Sequence, residues 1–219
     1  MKKLVVQTVG RWLLSELTVT AVDAPGANFR SITVIGLAAS RPGDKVQLVM
    51  DDGMRAYTPF DHDGSRTRFL AHLRQGSTSD RFRSLKVGDR LQGFGPRASL
   101  PLDDLRGRVV LVGDETSFAV GRALAQVHAV QPHGVYLVHE PDAAAVLSAL
   151  DAPVDAVVGA DDVAGAARAI GALGTTDLTL VLTGRARTVQ ALRAELKAAG
   201  LTVPQRVKAY WADGKRGLD

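Results

Sequence analysis

Beyond residue 107 the chain alternates short apolar runs with helical stripes, and no other feature limits the fold as tightly. The runs are RVVLVGD, GVYLVHE, VDAVVGA, DLTLVLTG and QRVKAYWADG. Between them lie TSFAVGRALAQVH, PDAAAVLSAL, DDVAGAARAIGAL and ARTVQALRAELKAAG. In the last of these, Val189, Leu192, Leu196 and Ala199 fall on one stripe, and Gly200 marks its stop. Pro141 stands at the start of the second. Apolar runs of this kind need cover on both faces. Strands alternating with helices therefore imply a doubly wound parallel sheet of five strands, with helices on both sides.

The first half has another rhythm. WLLSELTVTAV, FRSITVIGL, KVQLVM, MRAYTPF, TRFLAHLR and DRLQGFGP are strand-like, and the turn signals APGAN, RPGD, DDG and DHDG separate them. Strands at this spacing without long helices predict an antiparallel β-barrel. One piece, STSDRFRSLKVGD, predicts a short helix with Ser79 or Asp80 as its cap. The change of rhythm near PLDDLRGR places the domain boundary between residues 1–105 and 106–219, giving an α/β two-domain chain. The first residues, MKKLVVQTVGRWLL, read as the approach to a first strand. Gln7, Thr8 and Arg11 interrupt any signal-like apolar core.

Composition then narrows the function. The net charge of +4 is spread along the chain without a Lys/Arg block, which suits anionic small molecules and argues against nucleic acid. There is no cysteine, which excludes disulfides and Cys-ligated zinc or iron–sulfur sites. The five histidines show no metal-ligand spacing, so no metal site is expected. No apolar run is long enough to span a bilayer, and a cytoplasmic location is the expectation.

Several short motifs carry chemistry. In GMRAYTPF, Arg55 and Tyr57 would share one face of a strand, with the Thr58 hydroxyl beside them. A cation, a planar ring and a hydroxyl together suit a flat anionic cofactor, although for the stretch taken alone an edge strand with a surface arginine and a half-buried tyrosine is the plainer reading. Downstream, Gly76, Ser77, Thr78 and Ser79 open the predicted short helix. Free backbone N–H groups and hydroxyls there would hold a phosphate. Asp114, Glu115 and Thr116 follow the first strand of the α/β half, at the turn where dinucleotide phosphates usually sit. Thr183 and Gly184 end another strand at the same edge, and Arg185 and Arg187 add positive charge. Tyr210 and Trp211 close the last strand, as buried packing or as rings flanking a cofactor.

In this order the motifs resemble the ferredoxin–NADP reductase superfamily, and within it the siderophore-interacting proteins, which are ferric-siderophore reductases. RAYT is similar to that family's Arg-x-Tyr-Thr flavin motif. GSTSDRFRSLKVGDRLQGFGPR is similar to its second flavin segment, LVGDETSFAVGRAL to the start of its nicotinamide domain, and AYWADG to its C-terminal Tyr-Trp-x-x-Gly. The resemblance implies FAD held by the barrel, NADH or NADPH held by the α/β domain, and a ferric siderophore as electron acceptor. It implies that Arg55 binds the FAD phosphates, that Tyr57 lies along the isoalloxazine or ribityl chain, and that Thr58 bonds near the ring's polar edge. Gly76 to Ser79 would take the pyrophosphate. Asp114, Glu115 and Thr116 would lie at the nicotinamide pocket, and Trp211 near the flavin. The chain departs from the pattern at Pro59, which has no N–H, and at Phe60, where the family often has a second arginine. Two other readings stand beside this one: a general NAD(P)H:flavin reductase or reductase of a protein acceptor, and a non-catalytic module that kept the fold.

Overall fold

The structure, a computed structural model, describes residues 14–51, 53–74 and 77–215. The approach segment before residue 14 lies outside them. The first half forms strands β1 (Ser15–Gly26), β2 (Phe29–Ile35), β3 (Lys45–Met50), β4 (Gly53–Tyr57), β5 (Arg66–His72) and β6 (Arg90–Arg97). They make one antiparallel sheet in the order β4-β3-β6-β1-β2-β5. The edge strands approach each other through a bridge between Phe60 and Arg68, with both backbone N–H groups donating across it at 3.0 and 2.9 Å. The predicted barrel is thus a strongly curved sheet nearly closed on itself. Burial alternates along β3, where Val46, Leu48 and Met50 face the core. Helix α1 (Ser77–Ser84) packs Phe82 into that core. It starts two residues before Ser79 and three before Asp80, the expected caps.

The second half forms β7 (Gly107–Gly113), β8 (Val130–Val138), β9 (Ala156–Gly159), β10 (Leu178–Arg185) and β11 (Gln205–Trp211). All neighbours are parallel, in the order β11-β10-β7-β8-β9. A 3₁₀ turn (Glu115–Ser117) leads into α2 (Phe118–Ala125); α3 (Ala143–Ala149), α4 (Val163–Ala172) and α5 (Ala186–Ala198) follow β8, β9 and β10. The central strands β7 and β10 are buried almost throughout, as runs covered on both faces must be. Among the described residues no helix is long and apolar enough to cross a membrane.

An apolar seam joins the halves. Leu100, Leu102 and Leu105 of the connecting segment share one cluster with Phe29, Phe60 and Leu70 from the barrel and Leu111, Phe118 and Tyr136 from the α/β half. The segment is tied to the barrel by Leu100 N–H to Gly43 O (2.9 Å) and Leu102 N–H to Pro42 O (3.2 Å). Polar fasteners lie beside the seam. Asp61 takes Arg68 of β5 at 2.9 Å and Arg122 of α2 at 2.6 Å. Glu140 accepts from Asn28 and pairs with His72, both at 2.9 Å.

This last contact gives a pH prediction. Burial opposes ionisation of Glu140, but the hydrogen bonds from Asn28 and His72 outweigh it, and the folded carboxyl sits below its ordinary value of 4.5. A depressed acid stabilises the fold above its unfolded pKa and loses that contribution as pH falls through its folded pKa. Glu140→Gln is therefore expected to be less stable than the parent at neutral pH. The gap should narrow as pH drops below 4.5, measured as Tm across the acid range. A gap that stays constant with pH would contradict the assignment.

Candidate functional site

On the barrel side the site is built on β4, an edge strand. Arg55 stands opposite Leu48, and Tyr57 opposite Val46, so the two side chains share a face as their spacing predicts. Both are half-buried. Arg55 Nη1 donates to Met54 O at 3.1 Å. The Tyr57 ring packs on Phe82 of α1, with centroids 5.1 Å apart and planes 57° apart. Helix α1 therefore orients Tyr57 directly. Ser77 opens α1, and Thr78 and Ser79 complete its first turn, where backbone N–H groups lack intrahelical acceptors. The buried Ser79 hydroxyl accepts the Arg74 N–H at 2.9 Å, which ties the turn to the preceding segment. Gly76 lies outside the described residues.

On the α/β side the site is the C-terminal edge of the parallel sheet. The chain leaves β7 toward β8, while β10 lies on β7's other flank. The β7–β10 gap is therefore the topological switch point, where doubly wound sheets open a crevice for ligands. A small, mostly apolar crevice is present there, lined by Leu137, Leu182, Val189 and Leu192 as well as by Asp114 and Arg185.

The carboxylate of Asp114 organises this edge. Its Oδ1 accepts from the Thr116 N–H at 2.9 Å and from the Thr116 hydroxyl. Its Oδ2 accepts from the Arg185 N–H at 2.9 Å and from Trp211 Nε1 at 2.7 Å. One buried acid thus ties β7, the β10–α5 junction and β11 together. Gly184, at φ +96°, leaves room for it, since a Cβ there would lie 2.7 Å from the carboxylate. Glu115 is also buried, and its Oε1 accepts the backbone N–H groups of His139 (2.5 Å) and Glu140 (3.2 Å). Thr183 turns its hydroxyl inward, donating to Ser117 Oγ at 2.7 Å. Internal donors thus hold both Asp114 oxygens and Glu115 Oε1, while Glu115 Oε2 is buried without a partner among the described residues.

The two sides meet through the chain's last strand. Tyr210 hydrogen-bonds the Thr58 side chain, and burial keeps its phenol well above the ordinary tyrosine range, so it remains protonated. Trp211 lies beneath the guanidinium of Arg74, 4.1 Å from the ring centroid, while that of Arg185 approaches the same ring at 5.2 Å. Arg185 in turn pairs with Asp213. The end of the arginine-tyrosine-threonine strand and the crevice edge are thus linked through β11. Arg74 and Asp213 were missed in the sequence. Arg74 carries no local signal, and Asp213 is visible there only as part of an Asp-Gly turn.

No family model matches this sequence, and no curated protein matches it. Solved structures do share its fold. A siderophore utilization protein from T. fusca is 21% identical, with a TM-score of 0.70 over 94% of this chain and 95% of that one. Phthalate dioxygenase reductase, described as a modular structure for electron transfer from pyridine nucleotides to [2Fe-2S], is 14% identical, with a TM-score of 0.74 over 92% of this chain and 70% of that one. The chain also matches full-length CYP116B46 from Tepidiphilus thermophilus at 15% identity and a TM-score of 0.73, covering 90% of itself but only 29% of that protein. The two-domain fold of this chain, a curved antiparallel sheet followed by a parallel five-stranded one, is that of the ferredoxin reductase-type and siderophore-interacting structures.

Proposed function

We propose that the chain is an FAD-dependent NAD(P)H oxidoreductase whose acceptor is a ferric siderophore. The observation that carries this reading is the Thr58–Tyr210 and Arg74–Trp211 junction. It links the strand bearing Arg55, Tyr57 and Thr58 to the switch-point crevice through β11, which supports a shared site. A hydride donor and a flat acceptor ring need that arrangement, because they must meet face to face.

The donor set fits a flavin dinucleotide. Arg55 supplies a fixed positive charge, and Thr78 with the first-turn N–H groups of α1 supplies donors for a diphosphate. The open edge of β4 offers backbone groups to a heterocycle, although Pro59 removes one donor. Bound there, a flavin would supply two-electron acceptance of one hydride and one-electron release to the acceptor. Tyr57, backed by Phe82, would hold the ring plane. Trp211, fixed by Asp114, would wall the cleft against water. These 219 residues contain no cysteine for a cluster, so the electrons leave to an acceptor outside them. The motif resemblance and the likeness to the siderophore utilization protein favour a ferric chelate, whose reduction to Fe(II) weakens binding by hard oxygen ligands.

Purified protein incubated with FAD is expected to retain a yellow chromophore through gel filtration. Arg55→Ala should weaken FAD about ten- to a hundredfold, the worth of a lost charge-assisted hydrogen bond. Protein that gains no chromophore would overturn the flavoenzyme reading. Faster turnover of a cytochrome than of ferric chelates would favour a protein acceptor instead.

A further inference from the structure

The chain is held tightly where it leaves β4. Phe60 is buried in the apolar seam, and the Arg68 guanidinium lies over its ring, 5.2 Å from the centroid. Asp61 follows in the left-handed region at φ +50°, a conformation that Asp and Asn tolerate better than most side chains. Its carboxylate bridges the two halves. Oδ2 accepts from Arg68 Nη1 of β5 at 2.9 Å. Oδ1 accepts from Arg122 Nε of α2 at 2.6 Å and from Nε2 of Gln126, which caps the same helix, at 3.1 Å. The Gln126 amide oxygen in turn accepts the Asp61 N–H at 3.4 Å. The Asp61 and Arg122 side chains are only 19% and 25% exposed, so this charge-assisted joint is shielded as a surface pair is not.

The joint connects the two candidate binding elements by a short path. Helix α2 begins at Phe118, directly after the 3₁₀ turn that Asp114 caps at the crevice edge, and Arg122 stands one turn into it. On the barrel side, Asp61 lies three residues beyond Thr58, whose side chain is tied to Tyr210 of β11. The exit of β4 is therefore held to the α/β half at two points, by β11 and by α2, with buried Phe60 between them. Holding this segment fixes where the end of the flavin strand stands relative to the crevice edge. Hydride transfer is steep in that placement, since an error of about 1 Å can cost about 10²-fold. Affinity for each ligand, made by groups of its own half, depends on it far less. Resting on the flavin and NAD(P)H reading above, we infer that Asp61 is a positioning residue for hydride transfer. By clamping the exit of β4 to α2 through Arg122 and Gln126, it sets the flavin strand against the crevice.

Stopped-flow reduction of the FAD-loaded full chain by saturating NADH or NADPH, read as loss of the yellow colour, tests this. Asp61→Asn keeps the left-handed backbone but has one acceptor oxygen where two are used. It should slow flavin reduction about tenfold, while the Kd of FAD and of the oxidised dinucleotide each move less than about threefold. Arg122→Met leaves the Asp61–Arg68 pair in place and should show the same split, so it carries the test if Asp61→Asn does not fold. Glu140→Gln loosens the seam through Asn28 and His72 instead. It should lower Tm yet keep flavin reduction within about twofold of the parent. Reduction at the parent's rate in the Asp61 or Arg122 variant, equal slowing by Glu140→Gln, or a loss confined to FAD affinity overturns the positioning role and leaves the oxidoreductase reading standing. A parent that holds no flavin, or whose flavin neither nicotinamide reduces, overturns that reading, and this inference with it.

Discussion

Replacing Asp114 with alanine is expected to destabilise the protein by about 3 kcal/mol and to release Trp211 from the cleft. The carboxylate is 8% exposed and accepts four hydrogen bonds: two from Thr116, one from the Arg185 backbone and one from the Trp211 indole. Alanine leaves those donors without an acceptor in a site that water enters poorly, at about 1–3 kcal/mol for each buried group left unsatisfied. One of the four, from the Thr116 N–H, is the cap of the 3₁₀ turn, worth roughly 1 kcal/mol by itself. The total stays near 3 because groups at the cleft rim can rehydrate. For a chain of this size the fall in Tm is on the order of 8 °C. Asp114→Asn should fall between the two, because both oxygens face N–H donors and the amide can satisfy only one side. Tryptophan fluorescence in a Trp12→Phe background reports the second effect. In Asp114→Ala the emission should shift to the red and the indole should become open to quenchers. Unchanged emission and quenching would mean that stacking under Arg74, rather than the Asp114 hydrogen bond, holds the ring.

Periodicity carried most of the fold into the sequence, because burial on one face or two leaves a pattern that any window of ten residues displays. The β3 alternation and the unbroken apolar runs of β7 and β10 are local facts of this kind. The shared face of Arg55 and Tyr57 was legible for the same reason, since strand geometry alone decides it. What each polar group bonds to was not legible. Trp211 and Asp114 are 97 residues apart in the chain, and Asn28 and Glu140 are 112 apart. Sequence displayed Asp114 and Glu115 only as two charges at a turn. The structure gives internal donors to both Asp114 oxygens and to Glu115 Oε1, a fact that exists only once the strands are ordered. The same limit applied to Glu140, whose partners Asn28 and His72 come from the β1–β2 turn and β5 of the other half.

Gly113→Ala should produce a loss of similar size by the opposite route, adding an atom rather than removing one. Gly113 ends β7 where the chain bends into the 3₁₀ turn. A Cβ there would sit 2.3 Å from Ser117 Oγ, 2.4 Å from Ser117 Cβ and 2.7 Å from Thr183 Oγ1. Rotating the Ser117 hydroxyl away does not relieve the contact, because its Cβ is equally close and fixed to the backbone. The turn must move, and moving it breaks the Thr183–Ser117 hydrogen bond that joins it to β10. Overpacking of this kind costs about 1–3 kcal/mol, and the broken buried pair adds roughly 1 kcal/mol. The displaced turn carries Asp114 with it, so dinucleotide binding in the crevice should weaken along with stability. Pairing Gly113→Ala with Ser117→Gly removes the contacted atoms and should restore a substantial part of both losses. If the double variant is no more stable than Gly113→Ala alone, the clash with Ser117 is not what the glycine avoids, and close packing of β7 against β10 must account for it instead.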